Sequence, residues 1–212
     1  MITIKSFTFN PFQENTYIAY DETKECIIVD PGCYDDNENT ILKSFIEKEG
    51  LKPVELINTH CHLDHIFGNK FVADTYNLNP VMHKLDLPML EYAPMAAAKY
   101  GVHLGELPEV NSFIEEGDLV EFGNSKFEVL FTPGHAPGHI CLVNKKENIA
   151  LCADVLFHLS IGRTDLPMGD HQTLLNSIRE KLFILNDEMN VYPGHGPQTT
   201  IGFEKANNPF LK

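Results

Sequence analysis

Hydrophobic and polar positions alternate along the first third of the chain in a way that predicts strands joined by turns. Residues 2–9 alternate with a period of two, which is typical of a strand with one buried face. The short apolar runs Tyr17–Tyr20 and Cys26–Asp30 flank the polar segment Asp21–Lys24, so they predict a β-hairpin. The Asp-Pro-Gly sequence at residues 30–32 ends the second of these strands in a turn.

Two segments carry apolar residues at helical spacing. The first is Asn39–Glu49, where Asn39 or Thr40 can cap the helix and Gly50 follows its end. The second is Asp170–Leu185, whose leucine and isoleucine stripe predicts a strongly amphipathic helix. Between them, prolines break the weakly patterned middle of the chain into two predicted helical pieces, Lys84–Leu90 and Pro94–Tyr100.

Further strands are predicted by short apolar runs bounded by turn residues. One such run, Val54–Asn58, leads directly into His60. Thr199 or Thr200 can cap a short closing helix. The remaining predicted strands are Leu119–Phe122, Lys126–Phe131, His139–Asn144, Ile149–Cys152 and Asn190–Gly194.

These elements predict an α/β fold in which sheets pack between helix layers. The chain of 212 residues is long enough to bury a substantial core as one domain. We therefore expect a single domain over residues 1–212 with two related halves of about 1–115 and 116–212. The boundary falls near residues 112–118, between the weakly patterned middle and the returning strands.

Charge and cysteine content narrow the function classes. The chain has 16 Lys and Arg against 30 Asp and Glu, a formal net charge of −14, which argues against binding nucleic acid or anionic membranes. No apolar run reaches membrane-spanning length, and the N-terminus lacks the apolar core of a signal peptide. Five cysteines without a CxxC pair do not form a disulfide framework. We expect a cytoplasmic protein acting on a small molecule.

The sequence His60-Cys-His-Leu-Asp-His65 is the most informative motif. It places four potential metal ligands (His60, His62, Asp64 and His65) within six residues, directly after a predicted strand. Imidazole and carboxylate groups suit zinc and its divalent neighbours. His60 and His62 project to the same side of an extended chain, and a following turn can direct Asp64 and His65 to a second point nearby. The motif therefore predicts two partial metal sites.

Three later donors complete the set. His135, Asp154 and His195 each come directly after a predicted strand, and functional loops commonly gather at strand ends. Together with the first motif they make seven donors, whereas one metal ion needs only three or four protein ligands. Seven donors favour two divalent ions, with zinc preferred and iron or manganese as alternatives, and one carboxylate bridging them.

Four motifs give the chain a family resemblance. They are residues 59–69 (THCHLDHIFGN), 132–139 (TPGHAPGH), 162–165 (GRTD) and 192–197 (YPGHGP). In these motifs the sequence resembles the metallo-β-lactamase superfamily, and within it the glyoxalase II (hydroxyacylglutathione hydrolase) branch. The resemblance implies an αββα sandwich of two mixed β-sheets between helix layers. It also implies one metal on His60, His62 and His135, a second on Asp64, His65 and His195, and Asp154 as the bridge.

The chain departs from the glyoxalase II pattern in three places. It ends at Lys212, where glyoxalase II continues into a helical region with basic residues that hold glutathione. The resemblance is therefore to the short glyoxalase II-like group, and we expect weak dependence on glutathione. Ala153 stands where the family usually has Gly, and Met168 where it often has Gly.

Several other residues lie in or near these motifs. His139 is expected to support the ligands from behind, and Cys61 to point away from His60 and His62 into the core. Arg163 and Asp165 are expected either to form an ion pair that stabilises their loop or to have a catalytic role. The candidates for substrate contacts are Arg163, Phe157 and Met168.

The predicted activity is hydrolysis of a thioester or ester by hydroxide bound between two metals. Asp64 has a further catalytic role, because it can orient the nucleophile. One alternative is a mononuclear iron persulfide dioxygenase, which would use one histidine of the first motif with His135 and Asp154. Relatives of that kind usually lack the Pro-Gly-His-Gly-Pro ending and have Ala before Asp-His, whereas this chain has Leu63. Lactonase or β-lactamase activity, and metal binding without catalysis, also remain open, as does the oligomeric state.

Overall fold

A computed structural model describes residues 1–212, and these divide into two compact units. The first comprises residues 1–114 and 121–125, and the second comprises residues 115–120 and 126–212. The structure contains two six-stranded mixed β-sheets with helices. No helix in the structure combines the length and the apolar composition needed to cross a membrane.

The first sheet runs in chain order from β1 to β6. Its strands are β1 (Thr3–Phe9), β2 (Glu14–Tyr20), β3 (Glu25–Val29), β4 (Lys52–Ile57), β5 (Pro80–Met82) and β6 (Ser112–Phe113). β1 to β3 form an antiparallel meander, which confirms the predicted hairpin, and β3 to β6 are parallel. Because β3 and β4 are parallel neighbours, Asp30 and His60 follow them at the same edge of the sheet.

Three helices accompany this sheet: α1 (Asp36–Glu49), α2 (Asn69–Tyr76) and α3 (Leu87–Tyr100). The predicted start of α1 was wrong by three residues. Asp35 caps the helix by accepting a hydrogen bond from the Glu38 backbone N–H, so neither Asn39 nor Thr40 is the cap. α2, β5 and β6 were not predicted.

The two separate helical pieces predicted around Lys84–Tyr100 were wrong. A short 3₁₀ turn at Lys84–Asp86 is followed by one continuous helix, α3, with Pro94 inside it. Pro94 lies on an exposed face, where the main-chain carbonyl that it deprives of a partner can bond to water. Met89, Ala93 and Ala97 bury the opposite face, so apolar packing holds the helix together across the proline.

The second sheet has the order β14-β13-β10-β9-β8-β7. Its strands are β7 (Leu119–Phe122), β8 (Ser125–Phe131), β9 (Ile140–Asn144), β10 (Ile149–Ala153), β13 (Asn190–Pro193) and β14 (Thr199–Thr200), and a small hairpin is formed by β11 (Leu156–Phe157) and β12 (Ser160–Ile161). β10 and β13 are parallel neighbours. Asp154 and the residues after Pro193 therefore leave the sheet at the same edge.

Two helices complete the second unit. α4 (His171–Ser177) begins at the Asp170 cap and continues into a π-helical turn at Ile178–Leu182. α5 (Ile201–Asn207) begins at Thr200, whose hydroxyl accepts from the Phe203 backbone N–H, so Thr200 is the cap. The apolar stripe of the α4 segment lies in the core of this unit, as predicted: Leu174, Ile178 and Leu182 are fully buried.

Candidate metal centre

The loop after β4 gathers three imidazole rings at one place. Its residues Leu63–His65 form a single 3₁₀ turn. This turn brings the His65 ring to 4.1 Å from the His60 ring, and the His62 ring lies 4.9 Å from His60. His60 and His65 are fully buried. The predicted clustering of donors in this motif is therefore present in the first unit.

Asp30 orients the imidazole of His65. One Asp30 oxygen accepts from the Thr59 backbone N–H at 2.7 Å. The other accepts from the Thr59 hydroxyl at 2.6 Å and lies 3.1 Å from His65 Nδ1. With Nδ1 directed at Asp30, His65 Nε2 faces the Asp64 carboxylate, whose Oδ2 is 3.7 Å away. Asp64 and His65 are thus placed to share one cation, and Asp30 fixes the orientation of the His65 ring through Nδ1.

The donor chemistry of this loop fits a bound metal ion. Asp30, His60 and His65 each offer one ligand atom, and these atoms lie within 4.8 Å of one another. His60 Nδ1 is 3.1 Å from the Thr59 hydroxyl, which leaves Nε2 as the nitrogen for a metal. Both Asp30 oxygens already accept hydrogen bonds from Thr59. Asp30 is therefore better suited to supporting the ligands than to being one.

Two further buried carboxylates, Asp86 and Glu14, contact this loop, and neither was predicted from the sequence. Asp86 accepts a hydrogen bond from the backbone N–H of Cys61, the residue between His60 and His62. Glu14 is also fully buried: its Oε2 accepts from the Thr16 hydroxyl at 2.9 Å, and its Oε1 is 3.9 Å from His65 Nδ1. Burial raises the pKa of the Glu14 carboxyl well above its ordinary value, His65 opposes this shift, and Asp30 adds to it.

Cys61 points into the core, as predicted. Its side chain is buried beside Met82 and belongs to an apolar cluster with Leu63 and Met89. All five cysteines are buried free thiols, and burial raises the pKa of the Cys61 thiol well above its ordinary value. A buried, neutral thiol is a poor metal ligand.

In the second unit, two predicted histidine ligands lie beside the carboxylate of a third predicted ligand, Asp154. His135 follows β8, Asp154 follows β10 and His195 follows β13. Asp154 Oδ2 lies 3.3 Å from His135 Nε2 and 3.6 Å from His195 Nε2. His135 Nδ1 donates to the Arg163 carbonyl at 2.7 Å, so its Nε2 is the nitrogen turned to Asp154. A carboxylate between two imidazoles is a suitable position for a ligand shared by two cations.

His139 contacts the main chain of Asp154. Its Nε2 accepts from the Asp154 backbone N–H at 3.2 Å, and the ring is fully buried. Gly162 packs closely against the main chain of Asp154. A methyl group at position 162 would overlap the Asp154 carbonyl oxygen. His139 therefore occupies the supporting position that the sequence suggested, and the glycine of the Gly-Arg-Thr-Asp motif provides close main-chain packing.

The three candidates for substrate contacts differ in their surroundings. Phe157 is half-buried with its ring 6.2 Å from the His195 ring. The Arg163 side chain forms a two-point ion pair with Asp165 at 2.7 Å, and both side chains are exposed. Met168 is 44% exposed in a left-handed backbone conformation with φ of 68°. Of these three, Phe157 is the one in ring contact with a predicted ligand, and Arg163 braces its own loop.

Comparisons with known proteins place the chain in a family. The model of the metallo-β-lactamase superfamily matches residues 9–195. The hydroxyacylglutathione hydrolase GloC of Haemophilus influenzae is 36% identical, with 99% of this chain and 98% of that protein covered. The crystal structure of the BLEG-1 B3 metallo-β-lactamase matches with a TM-score of 0.91 at 35% identity, covering 99% of this chain and 100% of that one.

A second solved structure bears on the metals. The structure of TTHA1623 in a di-iron-bound form matches with a TM-score of 0.87 at 36% identity, over 98% of this chain and 100% of that one. The predicted fold class is confirmed by these matches and by the two mixed sheets with helices. The chain is therefore a metallo-hydrolase that belongs to the metallo-β-lactamase superfamily.

Proposed function

We propose that the protein is a binuclear metal-dependent thioester hydrolase of the glyoxalase II type. In this proposal His60, His62 and His135 hold one divalent ion, Asp64, His65 and His195 hold the other, and Asp154 bridges them. The observation that carries the proposal is the Asp154 carboxylate beside the imidazoles of both His135 and His195. The convergence of Asp64 and His65 in the first unit supports a second ion.

The chain's own residues orient the ligands and the nucleophile. Asp30 and the Arg163 carbonyl fix the rings of His65 and His135 through Nδ1, so that Nε2 faces the reaction site. Two divalent ions held there would polarise the substrate carbonyl and make a water molecule acidic enough to attack at neutral pH. The Asp64 carboxylate accepts a hydrogen bond from the attacking water and directs its lone pair at the carbonyl carbon.

A thioester is the substrate that suits this set of groups. Its thiolate leaving group needs little protonation, so hydrolysis requires no strong general acid beside the leaving group. The name of the Haemophilus influenzae relative refers to a thioester of glutathione. Glutathione carries carboxylates, however, and this protein has a formal net charge of −14. We therefore propose that glutathione contributes little to recognition, within about 5- to 30-fold in kcat/KM.

Metal analysis combined with a thioester assay tests the proposal. Protein purified without added metal and then titrated with Zn²⁺, Fe²⁺ or Mn²⁺ should bind about two ions per chain. His195→Ala should reduce this to about one, whereas His171→Ala, which changes an exposed histidine, should leave two. S-lactoylglutathione should be hydrolysed, as should the lactoyl thioester of a small neutral thiol.

Two results would contradict this assignment. One ion per chain in the wild type, unchanged in His195→Ala, would remove the binuclear centre. Oxygen consumption with glutathione persulfide and no thioester hydrolysis would support the mononuclear iron dioxygenase instead. A preference for the glutathione thioester above a thousandfold would keep the hydrolase but overturn the weak dependence on glutathione.

A further inference from the structure

Four aromatic side chains from four separate segments meet at the surface of the first unit. Phe12 lies 6.3 Å from Phe67 in a stacked arrangement and 5.6 Å from Tyr100 in an edge-on one, and Tyr34 lies 4.8 Å from Phe67. Phe12, Tyr34 and Phe67 are half-buried, and Tyr100 is 47% exposed. We refer to these four residues as the aromatic patch.

Hydrogen bonds join the aromatic patch to the metal-binding loop. The Asn10 side-chain amide donates to the Asp64 carbonyl and to the Gly32 carbonyl, each at 3.0 Å. The same side chain accepts from the Phe12 backbone N–H at 2.9 Å. Asn10 thus connects the loop that carries Phe12 to the main chain of Asp64, and Phe67 lies only two residues beyond His65.

The loops that carry the patch are also fixed to each other. The Glu38 carboxylate accepts from the backbone N–H of Asn10 at 2.9 Å and from that of Tyr34 at 2.8 Å. The Tyr34 hydroxyl accepts from the His103 backbone N–H at 2.9 Å, which ties in the segment after α3. Aromatic rings whose loops are fixed to each other by hydrogen bonds form a preorganised apolar contact area. A contiguous exposed apolar area of this kind commonly marks a binding site.

We propose that the aromatic patch is the subsite for the acyl group of the substrate, and that it selects thioesters with an aryl or extended alkyl acyl chain. This inference rests on the proposed thioester hydrolysis. The scissile carbonyl must lie beside Asp64, and the patch is the apolar surface that is bonded to the Asp64 main chain. An apolar acyl chain leaving the carbonyl on that side loses its hydration against the four rings and gains dispersion contacts.

The acyl group fits the patch better than the thiol portion does. The thiol carriers of biological thioesters contain amides and charged groups, which lose hydrogen bonds to water when they lie on aromatic rings. Glu38 and the neighbouring Asp35 and Asp36 also place carboxylates around the Tyr34 loop, which disfavours an anionic carrier there. The patch therefore favours the neutral, apolar end of the substrate.

Matched substrates test the subsite with the metal-loaded protein. Propanoyl and 3-phenylpropanoyl thioesters of N-acetylcysteamine differ by one ring that is remote from the carbonyl. We expect kcat/KM to be about 10- to 100-fold higher for the phenyl substrate. Tyr100→Ala and Phe12→Ala should each lower the phenyl/propanoyl ratio about fivefold or more, while Tyr100→Phe should keep it. Phe210→Ala removes a ring of 52% exposure in the other unit and should leave the ratio unchanged.

A binding measurement separates the subsite from the reaction. The thioether S-(3-phenylpropyl)-N-acetylcysteamine cannot be hydrolysed, and it should shift the aromatic NMR signals of Phe12, Phe67 and Tyr34, unlike the S-propyl thioether. A ratio near one in the wild type, or a ratio unaffected by both alanine variants, would overturn the subsite while hydrolysis stands. Ring shifts without hydrolysis of any thioester would show that the patch binds an apolar chain, but would overturn the proposed reaction and with it the assignment of that chain as an acyl group. Rates that depend on the thiol and not on the acyl chain would overturn the subsite and leave the proposed hydrolysis standing.

Discussion

The two units present their predicted metal ligands in different ways. The first unit concentrates four donors between His60 and His65, in one loop after β4. The second unit supplies three donors from three separate strand ends, at His135, Asp154 and His195. The concentrated loop is held by buried side-chain carboxylates, Asp30 and Asp86 among them, which accept its main-chain N–H groups. Among the dispersed donors, the main-chain carbonyl of Arg163 orients His135, and the His139 imidazole accepts from the Asp154 backbone N–H.

This difference shows which residues control each half of the proposed centre. In the first unit, donor geometry depends on acidic side chains that lie far from the motif in sequence. In the second unit, it depends on strand register and on close main-chain packing at Gly162. Single substitutions of the supporting carboxylates should therefore disturb the first half, whereas the second half should respond mainly to changes in its own ligands.

The largest effect is expected at the centre of the second unit. Asp154→Asn should lower kcat/KM by at least about a thousandfold, because an amide cannot bridge two cations as a carboxylate does. His139→Ala should cost only about tenfold, because His139 acts on Asp154 through its backbone N–H. Steady-state kinetics and metal analysis of both variants check this. Equal and complete losses would show that His139 is itself a ligand.

In the first unit, Asp30 should have the next largest effect. Asp30→Ala removes the group that orients His65 Nδ1, and we expect metal affinity to fall about 10- to 100-fold. Competition titration with a chelator of known affinity measures this change. Asp30→Asn keeps an acceptor and should lose less. If both variants bound metal like the wild type, the supporting role of Asp30 would be refuted.

Asp86 offers a weaker test of the same idea. Asp86→Ala leaves the buried Cys61 backbone N–H without its acceptor, which should lower the free energy of unfolding by about 1–3 kcal/mol. Asp86→Asn can still accept that hydrogen bond and should lie closer to the wild type. Chemical denaturation of the metal-free proteins gives the comparison. Identical stabilities for both variants and the wild type would contradict the role of this bond.

The smallest effect concerns two carboxylates whose pKa is about 2, one in each unit. Burial opposes the shift at Asp21, but hydrogen bonds from Thr23, Ser125 and Asn124 lower its pKa from 3.8 to about 2. Since the folded-state pKa is depressed, the stabilisation is complete above about pH 5 and is lost as the pH falls through 3.8 toward 2.

The second carboxylate, Asp165, serves as the matched control. The Arg163 hydrogen bond lowers its pKa to about 2 as well, but its side chain is exposed. Asp21→Asn should therefore destabilise the protein by about 1–2 kcal/mol at pH 6 and by less at pH 3, whereas Asp165→Asn should change little at either pH. Thermal unfolding of both variants and the wild type at pH 6 and pH 3 measures these differences in stability. A larger effect for Asp165→Asn would contradict this order.

The sequence predicted the parts of the molecule that depend on local patterns. The β2–β3 hairpin and the buried stripe of α4 follow from periodicity within a few residues. The dense donor motif at His60–His65 was recognisable because so many ligands in one loop are costly to leave unsatisfied. The start of α1 was misplaced because Asp35 caps it with a bond to Glu38, and the more distal polar residues Asn39 and Thr40 look equally suitable in the sequence.

The supporting residues could not be predicted, because their roles depend on contacts between distant segments. Asp86 lies 25 positions from Cys61, and Asp30 lies 35 positions from His65. Asp30 was recognised only as part of a turn, although the turn places it at the same sheet edge as the motif. Glu14 precedes the predicted strand Tyr17–Tyr20, and the structure shows that it begins a strand that is buried along nearly its whole length. A charged residue within an otherwise buried strand indicates a polar environment supplied from elsewhere in the fold.

Ala153, which precedes Asp154, has an evolutionary consequence. It adopts a left-handed conformation with φ of 39° at a point where the register between β10 and β13 shifts. An L-residue in that region costs about 1–2 kcal/mol, whereas glycine would avoid this cost but lose about 0.5–1 kcal/mol through its greater freedom in the unfolded chain. The difference, about 0–1.5 kcal/mol in favour of glycine, is small, so alanine and glycine can replace each other here at little cost in stability. Residues with larger side chains are not tolerated in the same way, because position 153 is buried.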